Sequence, residues 1–389
     1  MEFSALNIIS VLIPFEALLF TIYILSLKVE HKISNVFIAL FIFESGLESI
    51  MPFLYENVFI TYPQFALILD TLFFLQLPLL YLYIKSTLFK DFELRKTDLL
   101  HLVPILIVNL IALFNYHILP LESKKAILTG GMRDLQGLVY ITYAVLVLQL
   151  VIYAFLSFKE INKYKQIVKE NYSDIGKYNY RWIRQLLFAF VFILVVSVIK
   201  NFAWSFIMPE LHEKLFLFLN VSVLVFITWI IYKALKRPYL FSSLNSQIKL
   251  IKELIQEKEM MDKANDKNQL TNEEKKLLEK LENHMAEEKP FLEPTLTLHD
   301  LAMQLKTSTR ELSVLINKTY KKHYFDFVNS YRIGEAITIL LNPSTEKLTV
   351  LEIMYDVGFN SKSSFNSAFK KHTGITPTAY KKRHSKSTR

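Results

Sequence analysis

The sequence predicts an all-α protein: a bundle of seven transmembrane helices, then a charged helical linker, then a domain of short helices. Residues 1–236 are a succession of apolar runs, whereas the chain beyond them is rich in Lys and Glu and ends in a basic tail. In that polar part, apolar residues recur at spacings of three and four and are bounded by helix-capping pairs, which is typical of helices. We therefore expect three parts, at 1–236, 237–270 and 271–389.

Composition excludes several classes of site. The chain has 389 residues, of which 52% are hydrophobic, and a formal charge of +9. It has no cysteine, which excludes disulfides, thiolate metal sites and cysteine nucleophiles. The first apolar run begins near Ala5 without a preceding basic stretch and is too long for the apolar region of a signal peptide.

The apolar part is predicted to cross a lipid bilayer. A helix needs about 20 mostly apolar residues to span roughly 30 Å of hydrocarbon. Most Lys and Arg residues of the short loops follow spans one, three and five, which places these loops in the cytoplasm. We therefore expect a multi-pass protein of the inner (cytoplasmic) membrane, with its N-terminus outside and its C-terminal domain in the cytoplasm. The predicted spans are 5–27, 33–55, 62–84, 98–118, 135–158, 182–208 and 215–235.

Five charged residues interrupt the spans. Each costs at least about 2.5 kcal/mol in the bilayer and is expected to face the bundle interior. The predicted topology places three of them in the outer half of the membrane, within reach of an extracellular or lipid-soluble ligand. We consider the five as candidate signal-sensing residues, the alternative being structural ion pairs. They are Glu16, Glu44, Glu48, Asp70 and Lys200.

The linker, residues 237–270, predicts a charged helix. Leu244, Ile248, Ile251 and Ile255 form an apolar seam of about two heptads, fewer than a coiled coil needs. Two interpretations stay open: a solvated helix beneath the membrane, and a stalk that pairs two chains in a homodimer.

The C-terminal part contains a first helix-turn-helix unit. Thr271 and Glu274 form a capping box that begins a helix. In "LTLHDLAMQLKTSTRELSVLINKTY", a tight turn separates two short amphipathic helices, and Ser308 with Glu311 caps the second. The second helix of such a unit enters the major groove of DNA. Its outward residues are Thr309, Arg310, Ser313, Asn317 and Lys318.

A second unit follows in "TVLEIMYDVGFNSKSSFNSAFKKH", where Gly358 ends the first helix and Ser361 caps the second. Its outward residues are Lys362, Ser363, Asn366, Ser367 and Lys370. Between the units, "YFDFVNSYRIGEAITILL" predicts a helix of roughly 27 Å, which can hold two recognition helices about one DNA turn, ~34 Å, apart. Residues 291–389 hold 15 Lys and Arg against 8 Asp and Glu, a positive charge that suits phosphates.

Residues 271–383 resemble the DNA-binding domain of AraC/XylS-family transcription regulators. The resemblance rests on "LTLHDLA", "STRELSVLI", "YFDFVNSYRI" and "LEIMYDVGFNSKSSFNSAFKKHTGITPTAYKK", in this order and spacing. It implies a double helix-turn-helix fold, double-stranded DNA as partner, and a role in transcription regulation. The expected DNA-binding residues are Thr309, Arg310, Ser313, Lys318, Lys362, Ser363, Asn366, Ser367 and Lys370.

Two other functions were weighed against a membrane-bound regulator whose bundle is the sensor. A transporter or channel with a regulatory tail is compatible with the buried carboxylates, but the hydropathy pattern has no internal repeat. An intramembrane enzyme is disfavoured because "HEKLF" is not the metalloprotease HExxH and no phosphate-binding GxxxxGK occurs. We therefore expect no catalytic residues, no metal and no cofactor.

Overall fold

The computed structural model describes residues 5–27, 32–89, 92–129, 135–173, 180–205, 208–236, 270–345 and 347–385. Within these ranges the chain is helical and has no β-strand, so the all-α prediction is confirmed. Two compact units form, one from Met1–Asn162 with Tyr180–Ser246 and the other from Lys163–Asn179 with Gln247–Arg389. The apolar seam of the predicted linker lies outside the described residues.

The first unit has seven helical regions that are long and apolar enough to cross a membrane, as the hydropathy predicted. Regions three and four are not single α-helices, because short 3₁₀ and π segments interrupt them. A short helix, α6, which the apolar pattern did not predict, follows region four. The α-helices of this unit are α1 (Ala5–Ser26), α2 (Lys32–Asn57), α3 (Ala66–Asp70), α4 (Gln76–Leu88), α5 (Val103–Ala112), α6 (Leu121–Thr129), α7 (Gln136–Asn171), α8 (Tyr180–Ser205) and α9 (Pro209–Lys236).

Close packing of small residues holds the start of the first unit together. A Cβ atom added to Gly46 on α2 would lie 2.6 Å from Cβ of Ala17 on α1. Without a hydrophobic force between helices in lipid, such close backbone approach supplies the dispersion contacts that hold helices together. Elsewhere on α2, the ring of Phe41 packs edge-on against the rings of Phe190 and Phe226, which joins α2 to α8 and α9.

The second unit contains seven short helices after the predicted linker. The capping boxes predicted at Thr271 and Ser308 are both present, and Thr297 and Thr349 begin two further helices in the same way. Each box satisfies backbone amides that would otherwise lack partners, which fixes where the helix begins. The helices are α10 (Asn272–Glu287), α11 (Leu298–Leu305), α12 (Thr309–Tyr320), α13 (Tyr324–Leu341), α14 (Val350–Asp356), α15 (Lys362–Thr373) and α16 (Pro377–Ser385).

Helix α13 joins two separate hydrophobic cores. Its Phe327 and Val328 pack into the core of α10, α11 and α12. Its Ile333 and Ala336 pack into the core of α14, α15 and α16, together with Phe365. Each helix-turn-helix unit therefore has a hydrophobic core of its own. Full burial of each large apolar side chain stabilises such a core by roughly 1.5–3 kcal/mol.

Candidate nucleic-acid interface and membrane cavity

The first recognition helix is α12, and its apolar face fixes which residues point outward. Leu312, Leu315 and Ile316 are buried against the first core. The helical period therefore turns Arg310 and Asn317 to solvent, where both are exposed. Thr309 and Ser313 are half-buried beside them.

Lys318 differs from the other predicted DNA-binding residues of α12. Its Nζ atom lies 3.0 Å and 3.2 Å from the two carboxylate oxygens of Glu274, and its side chain is 17% exposed. The Thr271 amide and then the Lys318 ammonium hold the pKa of Glu274 below its usual range. In the described structure Lys318 thus joins α12 to α10, and a phosphate contact would require it to leave this carboxylate.

The second recognition helix, α15, has a continuous polar face. Phe365 and Phe369 are buried in the second core. The N-cap Ser361 accepts a hydrogen bond from the Ser364 amide, and Gly374 ends the helix at φ +81°. On the opposite face Lys362, Ser363, Ser367 and Lys370 are exposed and Asn366 is half-buried. The structure therefore brings the five predicted residues of this helix together on one accessible face.

Two lysines that were not among the predicted DNA-binding residues lie near Arg310. Lys276 of α10 and Lys306, in the turn before α12, line the same groove as Arg310, a groove of about 460 Å³. Lys306 adopts the left-handed conformation with φ 54°, which ends α11 and allows the tight turn. Their positive charges suit DNA phosphates. The sequence carried a weak signal for Lys276, since it lies on the polar face of a capped helix.

The first compact unit, which we call the membrane unit, contains a partly open cavity of about 200 Å³. Its walls combine aromatic rings, among them Phe73 and Phe190, with the charged residues Glu48 and Lys200. The Lys200 ammonium also lies 5.5 Å from the ring centre of Phe216. A site of this mixed character can bind a small molecule that has an apolar body and a polar group. The other polar residues of the lining are Ser45, Ser49, Tyr55, Gln76, Ser197 and Asn220.

Glu48 and Lys200, two of the five candidate sensing residues, line this cavity. Glu44 and Asp70 are not among its lining residues. Glu44 is 6% exposed. Glu16 lies apart from the cavity lining, and its carboxylate accepts a 2.9 Å hydrogen bond from the Thr228 hydroxyl.

Comparisons with known proteins agree with this arrangement in the C-terminal unit. A family model described as a helix-turn-helix domain matches residues 301–383. An uncharacterized HTH-type transcriptional regulator of Bacillus subtilis (strain 168), YdeC, is 34% identical over 90 residues. These residues are 23% of this chain and 30% of that relative. No solved structure matches the chain. Residues 301–383 are an AraC-type helix-turn-helix domain, in a chain whose N-terminal part has seven helices that fit a membrane domain.

Proposed function

We propose that this chain is a membrane-bound, sequence-specific DNA-binding transcription regulator whose seven-helix bundle is the signal sensor. One observation carries the DNA-binding half of the proposal. Two capped helix-turn-helix units, each with its own core, are joined by the single helix α13 and expose their polar recognition faces. In DNA-binding proteins, such a unit places its second helix in the major groove.

In this proposal α12 and α15 enter successive major-groove segments of one duplex. Arg310, Lys362 and Asn366 contact base edges, because they lie on the outward faces early in the two recognition helices. Ser363 and Ser367 support them. Lys370, in the last turn of α15, contacts phosphate and contributes affinity for any sequence. The similarity to YdeC, which is named as a transcriptional regulator, supports this assignment.

Full-length protein in lipid nanodiscs tests the base contacts, with duplexes selected by that protein from a randomised pool. Asn366→Ala should cost about 1–3 kcal/mol and relax preference at one base position. Lys370→Ala is the matched control. It should weaken binding to all duplexes alike and reduce the slope of log affinity against log salt concentration by about 1, as expected for the loss of one phosphate contact. If Asn366→Ala left affinity and preference unchanged, α15 would not be a recognition helix.

The sensing half rests on the cavity of the membrane unit. A cavity of about 200 Å³ is somewhat larger than the ~150 Å³ that holds benzene, so it suits a small extracellular or lipid-soluble ligand. Such a ligand would shift the bundle between two states through its different affinities for them. The loop lysines place the N-terminus outside and the recognition helices in the cytoplasm, where DNA is found.

Substitutions of Asp70 and of the cavity residue Lys200 test the sensor. Asp70→Asn and Lys200→Met should fix a reporter gene on or off, while Lys214→Met, at an exposed lysine outside the cavity, should leave its response intact. Reporter output is divided by the amount of membrane-inserted protein, because loss of a structural ion pair would lower abundance alone. Normal response per molecule in both variants would remove sensing from these two residues.

A transporter or channel with a regulatory tail is the second candidate, because Glu48 and Lys200 would also suit a solute site. Uptake of labelled solutes by the purified protein in vesicles separates the two functions. Concentrative uptake that Lys200→Met abolishes would favour transport, whereas its absence, together with ligand-dependent DNA binding, would favour the regulator.

A further inference from the structure

Helix α7 contributes to both compact units. It has 36 residues, which is about 54 Å at 1.5 Å per residue and well beyond the roughly 30 Å of a bilayer core. Its residues up to Asn162 belong to the membrane unit, whereas Lys163–Asn179 belong to the unit that contains the helix-turn-helix domain. The apolar pattern ends span five at residue 158 and predicts a loop after it, so the helix is longer than the sequence indicated.

The residues at the end of α7 bind the helix-turn-helix domain through specific polar contacts. Tyr172 forms an isolated antiparallel bridge with Thr297, the N-cap of α11. The Ser173 hydroxyl donates a 2.7 Å hydrogen bond to the Leu296 carbonyl, and Ser173 is 2% exposed. One turn earlier, the Glu170 carboxylate lies 3.8 Å from His323, the N-cap of α13. We call Tyr172 and Ser173 the docking segment.

Ser173 supplies acceptors to a buried arginine of α13. Arg332 is 0% exposed, and its Nη1 and Nη2 atoms donate to the carbonyl and hydroxyl oxygens of Ser173 at 3.3 and 3.1 Å. Its Nε and Nη2 atoms also donate to the carbonyls of Phe291 and Glu293, at 2.6 and 2.7 Å. A buried charge is tolerated only when its hydrogen bonds are made, so the docking segment helps to keep this guanidinium in place.

Arg332 lies where the two helix-turn-helix units meet. It precedes Ile333 of the second core and follows Val328 of the first, and its guanidinium lies 5.5 Å from the ring centre of Phe359, in the turn before α15. The loop that provides its other acceptors leads into α11. The Arg332 contacts therefore join the loop before α11 to the turn before α15.

We propose that the docking segment is a positioning element: by completing the hydrogen bonds of Arg332, it holds the helix-turn-helix units in the arrangement that binds DNA. The docked arrangement leaves Arg310 and Lys362 exposed, so docking does not cover these two predicted DNA contacts. This inference rests on the proposed DNA-binding function.

The absence of cysteine from the chain allows a direct test of docking. Residues paired by an antiparallel bridge have Cα atoms about 4.5–5.5 Å apart, which is within disulfide range. The variant Tyr172→Cys with Thr297→Cys, in full-length protein in nanodiscs, should form an intramolecular disulfide under mild oxidation. The two single-cysteine variants control for links between chains. Failure of the double variant to cross-link would overturn docking, whatever the result for DNA.

The effect of the docking segment on DNA binding is tested by comparing the affinities of the Ser173→Ala and Ser330→Ala variants for the selected duplexes. The Ser330 hydroxyl lies on α13 but bonds within its helix, to the Phe327 carbonyl. Ser173→Ala removes the hydroxyl that accepts from Arg332 Nη2 and donates to the Leu296 carbonyl, and leaves the carbonyl that accepts from Nη1. Since one lost bond belongs to a buried charged group, the variant should bind the selected duplexes about tenfold more weakly, and Ser330→Ala should not. Oxidation of the cysteine pair in the Ser173→Ala background should restore affinity, which a variant that had merely unfolded would not show.

The outcomes separate the two proposals. If wild-type protein binds no duplex, the proposed function fails, while the disulfide still reports on docking. If wild-type protein binds DNA but the two serine variants have equal affinity, or oxidation restores nothing, the docking segment has no positioning role.

Discussion

Substitution of Gly358 tests how the turn of the second helix-turn-helix unit is held. Gly358 has φ +85°, and a Cβ atom there would lie 2.6 Å from the Leu292 carbonyl oxygen and 2.8 Å from that of Phe291. The positive φ alone costs a residue with a Cβ roughly 1–2 kcal/mol. Forcing two backbone carbonyls aside adds about 1–3 kcal/mol. We therefore expect Gly358→Ala to reduce the free energy of unfolding of this unit by about 2–5 kcal/mol.

Two other glycines separate these contributions. Gly374 has φ +81°, but no atom lies within 4 Å of an added Cβ. Gly374→Ala should therefore lower the free energy of unfolding only by the cost of the positive φ, about 1–2 kcal/mol. Gly334 lies exposed inside α13 with an ordinary helical backbone and open space around its Cβ position. Gly334→Ala should therefore stabilise the unit by about 0.5–1 kcal/mol.

The assay is a urea titration of each full-length variant in nanodiscs, with pulse proteolysis of the C-terminal unit at each urea concentration. The three tryptophans, Trp182, Trp204 and Trp229, all belong to the first unit, so their fluorescence reports on the membrane part as an internal reference. Equal losses for Gly358→Ala and Gly374→Ala would refute the argument, because the carbonyl contacts at Leu292 and Phe291 would then contribute nothing.

Three further predictions concern single contacts. The Thr307 hydroxyl, and then the Ser308 amide, donate hydrogen bonds to the Glu311 carboxylate and so lower its pKa. These hydrogen bonds stabilise the folded state fully when the pH is above the usual Glu pKa, and their contribution is lost as the pH falls through the lowered pKa. The stability difference between wild type and Glu311→Gln should accordingly shrink below about pH 4 in acid titrations. A double-mutant cycle of Glu274→Gln and Lys318→Met should give a coupling of up to about 1 kcal/mol that salt reduces, whereas zero coupling would mean that the ion pair does not persist in solution. Gly46→Leu should lower the yield of folded, membrane-inserted protein, because its side chain would meet Ala17; an unchanged yield would contradict the close packing of α1 on α2.

Local signals in the sequence were enough to predict most helices. A capping box acts over three residues and an apolar run over about 20, so both can be read without knowing the rest of the fold. For this reason the helix starts at Thr271, Ser308 and Ser361, the length of α13 and the seven membrane-length regions were predicted and are confirmed. The helical period also placed Lys362 and Lys370 on one exposed face.

The tertiary structure decided which distant residues share an environment. Lys318 meets Glu274 across 44 residues, and Ser173 meets Arg332 across 159. Glu48 and Lys200 line one cavity although they come from different helices. No local pattern encodes such pairs, because the choice of partner depends on how whole helices pack. By itself the sequence determined which segments are helical, which are long and apolar enough to cross a membrane, and which faces are polar, since these depend on the solvent preference and backbone bonding of neighbouring residues. Only the packed structure decided that a serine beyond the fifth membrane helix would complete the contacts of an arginine buried between two recognition units.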